Sequence, residues 1–428
     1  MSQTATLFGQ ALGEYLGLIH DPAATLAAAV QADPEFIIGH TTLAALNSLG
    51  GVPGDAAAVR EPLAAATALA GKANRREKLH IAAANAWATD DIAGAAALWE
   101  EALQDDPADI LSLRLAHDTH FFLGASQKLR DLPVSALHAY APGSRERGFV
   151  LGMASFGLEE TGEYAEAEKA GREAAEINPA DTWGVHAVAH VLEMQGRAKD
   201  GITWLRGLEP HWAPANGLAV HQWWHLALYL IEEGQLDEAL ALYDAHIHAH
   251  PGSIVLDLVD AAALLWRLEL LGVDVGARWQ ELAPFWGAHA EEHVLAFNDV
   301  HISFTFTFTG AGDEAAADRL ESSIAAYAAR ETGTNAEVSK ILGLPVIAAL
   351  RAFRKGDYAG TVESLAPLYK TLAAIGGSNA QRDLLIQTLG VSAYKIGDLE
   401  LAREIAAERR KLKAGSPRSW AACPALLA

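Results

Sequence analysis

The sequence predicts an all-α fold, a superhelix of stacked helical hairpins (an α-solenoid) with a concave inner pocket, and three observations lead there. Alanine and leucine dominate, and apolar residues recur at helical period between short polar turns. Turn glycines return at Gly124, Gly162, Gly196, Gly234, Gly272, Gly310, Gly356 and Gly397, mostly 34 to 41 residues apart and 46 at the widest. No Ser/Pro/Gly linker divides the chain, so residues 1–428 are expected as a single domain of roughly nine or ten hairpins.

Taken in order, residues 22–70 form a first hairpin, and "HIAAANAWATDDIAGAAALWEEALQDDPADI" is a second with Asp90 and Asp91 in its turn. Then come "FGLEETGEYAEAEKAGREAAEINP", "HVLEMQGRAKDGITWLRGLEP", "LYLIEEGQLDEALALYDAHIHAHP", "LRAFRKGDYAGTVESLAPLYK" and "SAYKIGDLELAREIAAERRK", each helix, glycine turn, helix. Residues 301–314, "HISFTFTFTGAGDE", are in conflict, because alternating Phe and Thr have strand period. The array on both sides favours a helix, which is the expectation taken. Residues from about 415 to 428 read as a C-terminal tail, docked by Trp420 or loose.

The balance of 32 basic against 54 acidic residues, net −22, opposes binding to nucleic acid or an anionic membrane surface. A single cysteine, Cys423, excludes an intrachain disulfide and any Cys-based metal site. With neither a signal peptide nor a membrane-length apolar run, the expectation is a cytoplasmic protein. A homo-oligomer is compatible with the sequence.

The period, with Ala in the second helix and Pro after it, resembles the tetratricopeptide repeat. In such repeats the helix before the turn lines the concave surface. His117, His120, His186, His190, His221, His225, His293 and His301 all lie on or near such helices. His186, His190 and Glu193 share one helix face, as do His221 and His225. The second pair stands 35 residues, one repeat, after the first, which places four imidazoles side by side on adjacent inner helices. Two such pairs can supply three or four ligands to a divalent transition metal, zinc or iron. "HAVAH" and "HQWWH" lack the glutamate of the H-E-x-x-H protease motif, so that mechanism is not assumed. Packing histidines inherited by repeat duplication are the alternative.

Trp183, Trp204, Trp212, Trp223 and Trp224 gather around the same pairs. Trp223 and Trp224, adjacent on a helix, cannot both face inward. Trp183 and Trp212 could rim an apolar pocket, and "RGLEPHWAPANG" is long enough for a lid with Asn216 capping the next helix.

The motifs "LAHDTHFFLG", "HAVAHVLEMQG", "GLAVHQWWHLALYLIEEG", "ALYDAHI" and "FNDVHISF" resemble the tetratricopeptide repeat protein 38 family, most densely over about residues 110–310. The resemblance implies an all-α repeat superhelix and marks His117, Asp118, His186, His190, His221, Trp224, His225, Asn298, Asp299 and His301, without implying a reaction. The leading expectation is a small-molecule enzyme of hydrolytic type. Its metal ligands are His186, His190, His221 and His225; its catalytic residues His117, Asp118, Glu193, Asp299 and His301; and Trp183, Trp212, Trp224 and Asn298 bind a substrate with an apolar or aromatic portion. A repeat scaffold for a protein or peptide partner, and a metal-free His/Asp acid–base enzyme, are the alternatives.

Overall fold

The computed structural model of the chain describes residues 2–214, 217–249, 252, 254–308, 313–330, 332–416, 418–420 and 423. Among these residues all regular structure is helical and no strand occurs. Two compact units are formed, residues 1–188, 208–219 and 331–335, and residues 189–207, 220–330 and 336–428.

Unit 1 holds α1 (Gln3–Gly17), α2 (Pro22–Ala32), α3 (Ile37–Leu49), α4 (Ala57–Ala68), α5 (Arg75–Ala88), α6 (Ile92–Asp105), α7 (Ile110–Phe122), α8 (Ser126–Ala136), α9 (Arg145–Glu160) and α10 (Tyr164–Ile177). Each packs on the next, and α3 also meets α5 and α7 meets α9. Side chains set the helix starts. Asn74 and Glu77 form a capping box for α5, and Asp109 and Ser144 accept from the backbone N–H of Ser112 and Arg147, satisfying donors that have no partner inside the helix.

Helices α11 (Thr182–Met194) and α12 (Ala198–Trp212) carry residues of both units, the divisions falling after Val188 and after Gly207. Unit 2 continues with α13 (Ala219–Glu232), α14 (Leu236–Leu242), α15 (Val255–Leu270), α16 (Arg278–Gly287), α17 (Ala296–Phe308), α18 (Glu314–Ala328), α19 (Thr334–Val338), α20 (Leu344–Arg354), α21 (Tyr358–Leu365), α22 (Asn379–Lys395) and α23 (Leu399–Leu412), except that Ala219 of α13 and Thr334 and Asn335 of α19 group with unit 1. The stretch with strand-like Phe/Thr alternation is α17; burial of Phe304 and Thr305 within the helical array overrides local propensity.

Gly124, Gly162, Gly196, Gly234, Gly272, Gly356 and Gly397 all have positive φ, 63° to 83°, which is why these turns take glycine. Asp90, at φ 68°, fills that position between α5 and α6. Gly310 lies outside the described residues.

Unit 2 also makes contacts that a linear array does not. α15 packs on α22, Trp266 Nε1 donates to Thr388 Oγ1 at 2.9 Å, and Arg267 donates to the Ala380 carbonyl at 2.7 Å. The end of α11 meets the residues after α23, where Ala414 N–H donates to the Met194 carbonyl at 2.8 Å. In a solenoid whose repeats touch only neighbours these pairs would stand several hairpins apart. Trp420 is buried against α22, filling the space left by Gly390, with the Arg409 guanidinium 5.3 Å from its ring.

Candidate functional site

Helical spacing delivers the central cluster. α11 presents His190 and Glu193, α13 presents His221 and His225 one turn apart, and α15 presents Asp260. His190, His225 and Asp260 are fully buried, and His221 nearly so. His225 Nε2 stands 3.1 Å from His190 Nε2, and the rings of His221 and His225 lie 4.8 Å apart. His186 sits one turn before His190 on the same continuous helix. One ring nitrogen from each of His190, His221 and His225 lies within 4.8 Å of the others.

The carboxylates decide what those nitrogens can do. His221 Nδ1–H donates to both oxygens of Asp260 at 2.9 and 2.8 Å, and His225 Nδ1–H donates to Glu193 Oε2 at 2.8 Å. A carboxylate only accepts, so both rings are fixed with the proton on Nδ1 and a lone pair on Nε2. Carboxylate behind imidazole, with the opposite nitrogen facing a common centre, is the usual support of a metal-bound histidine. Tetrahedral coordination at ordinary zinc–nitrogen lengths separates donor atoms by roughly 3.3 Å, close to the distance between His190 and His225.

Electrostatics favour the ligand forms. Burial, with His225 beside it, holds the His190 imidazole well below the usual histidine range, and burial likewise lowers His225. Burial alone would raise Glu193, but Lys413 and His225 outweigh it and hold the carboxyl well below the usual range. Lys413 Nζ donates to Glu193 Oε1 at 2.7 Å and lies 3.6 Å from Asp383, which is bound twice by Arg409 at 2.6 and 2.8 Å. Trp224 stacks flat on His221, 5.0 Å away and 13° from parallel, and the Arg267 guanidinium lies 5.1 Å from the Trp224 ring.

Of the expected catalytic residues, Glu193 alone hydrogen-bonds to one of these imidazoles among the described residues. His117 and Asp118 belong to unit 1. There His117 Nε2–H donates to the Met153 carbonyl at 3.3 Å, and Asp118 accepts from Tyr15 at 2.6 Å and Arg114 at 2.9 Å. Trp183 packs edge-on against His117 and takes the Arg114 guanidinium 4.5 Å from its ring. Trp212 is the last residue of α12 and is fully buried, so it forms no rim. Trp224 faces the histidines while Trp223 turns away to stack on His246 at 3.9 Å. On α17, Asp299 pairs with His293, His301 Nδ1–H donates to the Phe297 carbonyl at 2.7 Å, and Asn298 lines a cavity of about 10 Å³ with Trp286 and His289. Asn216 lies outside the described residues.

Sequence reasoning missed Asp260, Lys413, Asp383 and Arg409. A signal for Asp260 exists: it follows His225 by 35 residues, the interval that separates His190 from His225. No helix among the described residues is long and apolar enough to cross a membrane. The chain matches no protein-family model.

Proposed function

We propose that the chain is a metal-dependent small-molecule enzyme of hydrolytic type, its ion held by His190, His221 and His225. The observation that carries this reading is the pair of carboxylate-anchored imidazoles, His221 on Asp260 and His225 on Glu193, with the remaining nitrogen of His225 3.1 Å from His190 Nε2. Neutral imidazole suits zinc and iron, and a site with three protein ligands keeps a fourth position for water or substrate. A metal there supplies Lewis acidity, polarising an ester or amide carbonyl and making bound water acidic.

The charges around the site support an anion at that position. Glu193, Asp260 and Asp383 are balanced by Lys413, Arg409 and Arg267, so a dication adds charge that hydroxide or a substrate carboxylate can neutralise. Trp224 supplies the apolar wall expected for an aromatic or aliphatic substrate group. On its motifs we also place the chain beside the tetratricopeptide repeat protein 38 family, with the hairpins as a repeat superhelix and the cytoplasm as its compartment.

Elemental analysis of protein purified without an affinity tag tests the centre. About one equivalent of zinc or iron, lost in His225→Ala and retained in His186→Ala, is the expected result for three ligands and an open position. Less than about a tenth of an equivalent, after incubation with either ion, overturns it. Hydrolytic activity that survives complete chelation would instead favour the metal-free acid–base reading.

A further inference from the structure

Outside the histidine centre, unit 2 contains a second ordered set of reactive groups. His293 sits just before α17, Asp299 lies in the first turn of α17, and Ser323 is on α18. His293 Nδ1–H donates to Asp299 Oδ1 at 3.1 Å, and Ser323 Oγ–H donates to His293 Nε2 at 2.7 Å. Asp299 and His293 are buried, whereas Ser323 is partly exposed. The carboxylate fixes the tautomer, the imidazole presents a lone pair to the hydroxyl, and the hydroxyl is the member that a solute can reach. His293 holds a left-handed backbone conformation at φ 47°, uncommon for a residue with a side chain.

We propose that Ser323, His293 and Asp299 form a nucleophilic relay, a second reactive centre that takes carboxylic esters. The three roles follow from geometry alone: nucleophile, base, and the group that orients the base. Ser323 Oγ bonds to the acyl carbon while its proton passes to His293 Nε2. Breaking the ester C–O bond returns that proton to the departing alcohol. Water then attacks the acyl-serine, gives its proton to His293, and the carboxylic acid leaves as Ser323 recovers its hydrogen.

The surroundings suggest which esters fit. Ser323 and Tyr327 stand one turn apart on one side of α18, and Arg330 lies two residues beyond its end. The Tyr327 ring lies 5.4 Å from His293, and the Arg330 guanidinium 4.5 Å from Tyr327. An aromatic surface with a cation above it suits an acyl group that is apolar and carries a carboxylate.

The test uses a fluorophosphonate probe on the full chain, in the presence of EDTA, with intact mass and peptide mapping. One adduct on Ser323 is expected, absent in Ser323→Ala and formed roughly a hundredfold more slowly in His293→Gln and Asp299→Asn. Ser322, exposed and next to Ser323 on the same helix, is the internal control and should stay unlabelled. Equal labelling of Ser322 and Ser323, no adduct, or an unchanged rate in His293→Gln overturns the proposal. Should His293→Gln fail to fold by circular dichroism, the Asp299→Asn rate and the Ser323 to Ser322 ratio in the unaltered protein decide. Insensitivity to EDTA separates this outcome from that of the metal centre.

Discussion

Glu193 joins two residues that are 188 positions apart in sequence: its Oε2 accepts from His225 Nδ1 at 2.8 Å and its Oε1 from Lys413 Nζ at 2.7 Å. The residue that follows α23 thereby bears on the orientation of a histidine in α13. Removing one member of a buried ion pair leaves the other charge without compensation. Lys413→Met is expected to cost roughly 3–5 kcal/mol of stability, read as a lower midpoint in urea. Pairing it with Glu193→Gln should restore part of that loss, since the two residues are coupled. Additive losses would show that the pair does not act as a unit.

Glu193→Gln by itself removes the anion that fixes the His225 tautomer while leaving a side chain of the same shape. Metal affinity measured by calorimetric titration is expected to fall by roughly 10–100-fold. Asp260→Asn, which loosens His221 in the same way, should produce a loss of similar size. Unchanged affinity in both variants would show that the carboxylates do not serve a metal.

Burial pushes the His301 imidazole down to about 4. An unfolded histidine titrates near 6.5, so between these values the unfolded chain binds the proton and the native one does not. Stability attributable to His301 is therefore complete above pH 6.5 and is lost as pH falls towards 4, by about 2 kcal/mol between pH 7 and pH 5. Buried His190 and His225 act in the same direction. Urea unfolding at the two pH values should show the drop, and His301→Leu should reduce it by about that share; an undiminished drop in the variant would assign the effect to other groups.

Two turn glycines separate backbone strain from steric contact. At Gly162, φ 83°, a methyl group meets nothing within 4 Å, whereas at Gly196, φ 68°, it would come 2.3 Å from the Ala414 carbonyl oxygen. Gly162→Ala is expected to cost about 1 kcal/mol. Gly196→Ala carries the same strain and must also displace the chain after α23, so its cost should be larger by roughly 1–3 kcal/mol. Equal shifts in thermal midpoint would show that the contact at Ala414 is yielding.

Periodicity determined much of this protein in advance. Apolar residues at helical spacing and glycines at repeat spacing made the hairpins legible, because a left-handed turn residue and a buried helix face are local requirements. The interval of 35 residues between two His-x-x-x-His pairs made the imidazole cluster legible for the same reason, since identical register on neighbouring helices brings like positions together. The tertiary structure alone decided what stands behind and around those rings. Lys413, Asp383 and Arg409 reach the site because α22 packs on α15 and the residues after α23 meet the end of α11, and Ser323 reaches His293 because α18 packs on α17. His117 and Asp118, on a helix that also precedes a turn glycine, find their partners in unit 1 instead. No local pattern encodes those meetings; they follow from burial, which obliges each enclosed charge to find a counter-charge or hydrogen-bond partner wherever the chain next passes.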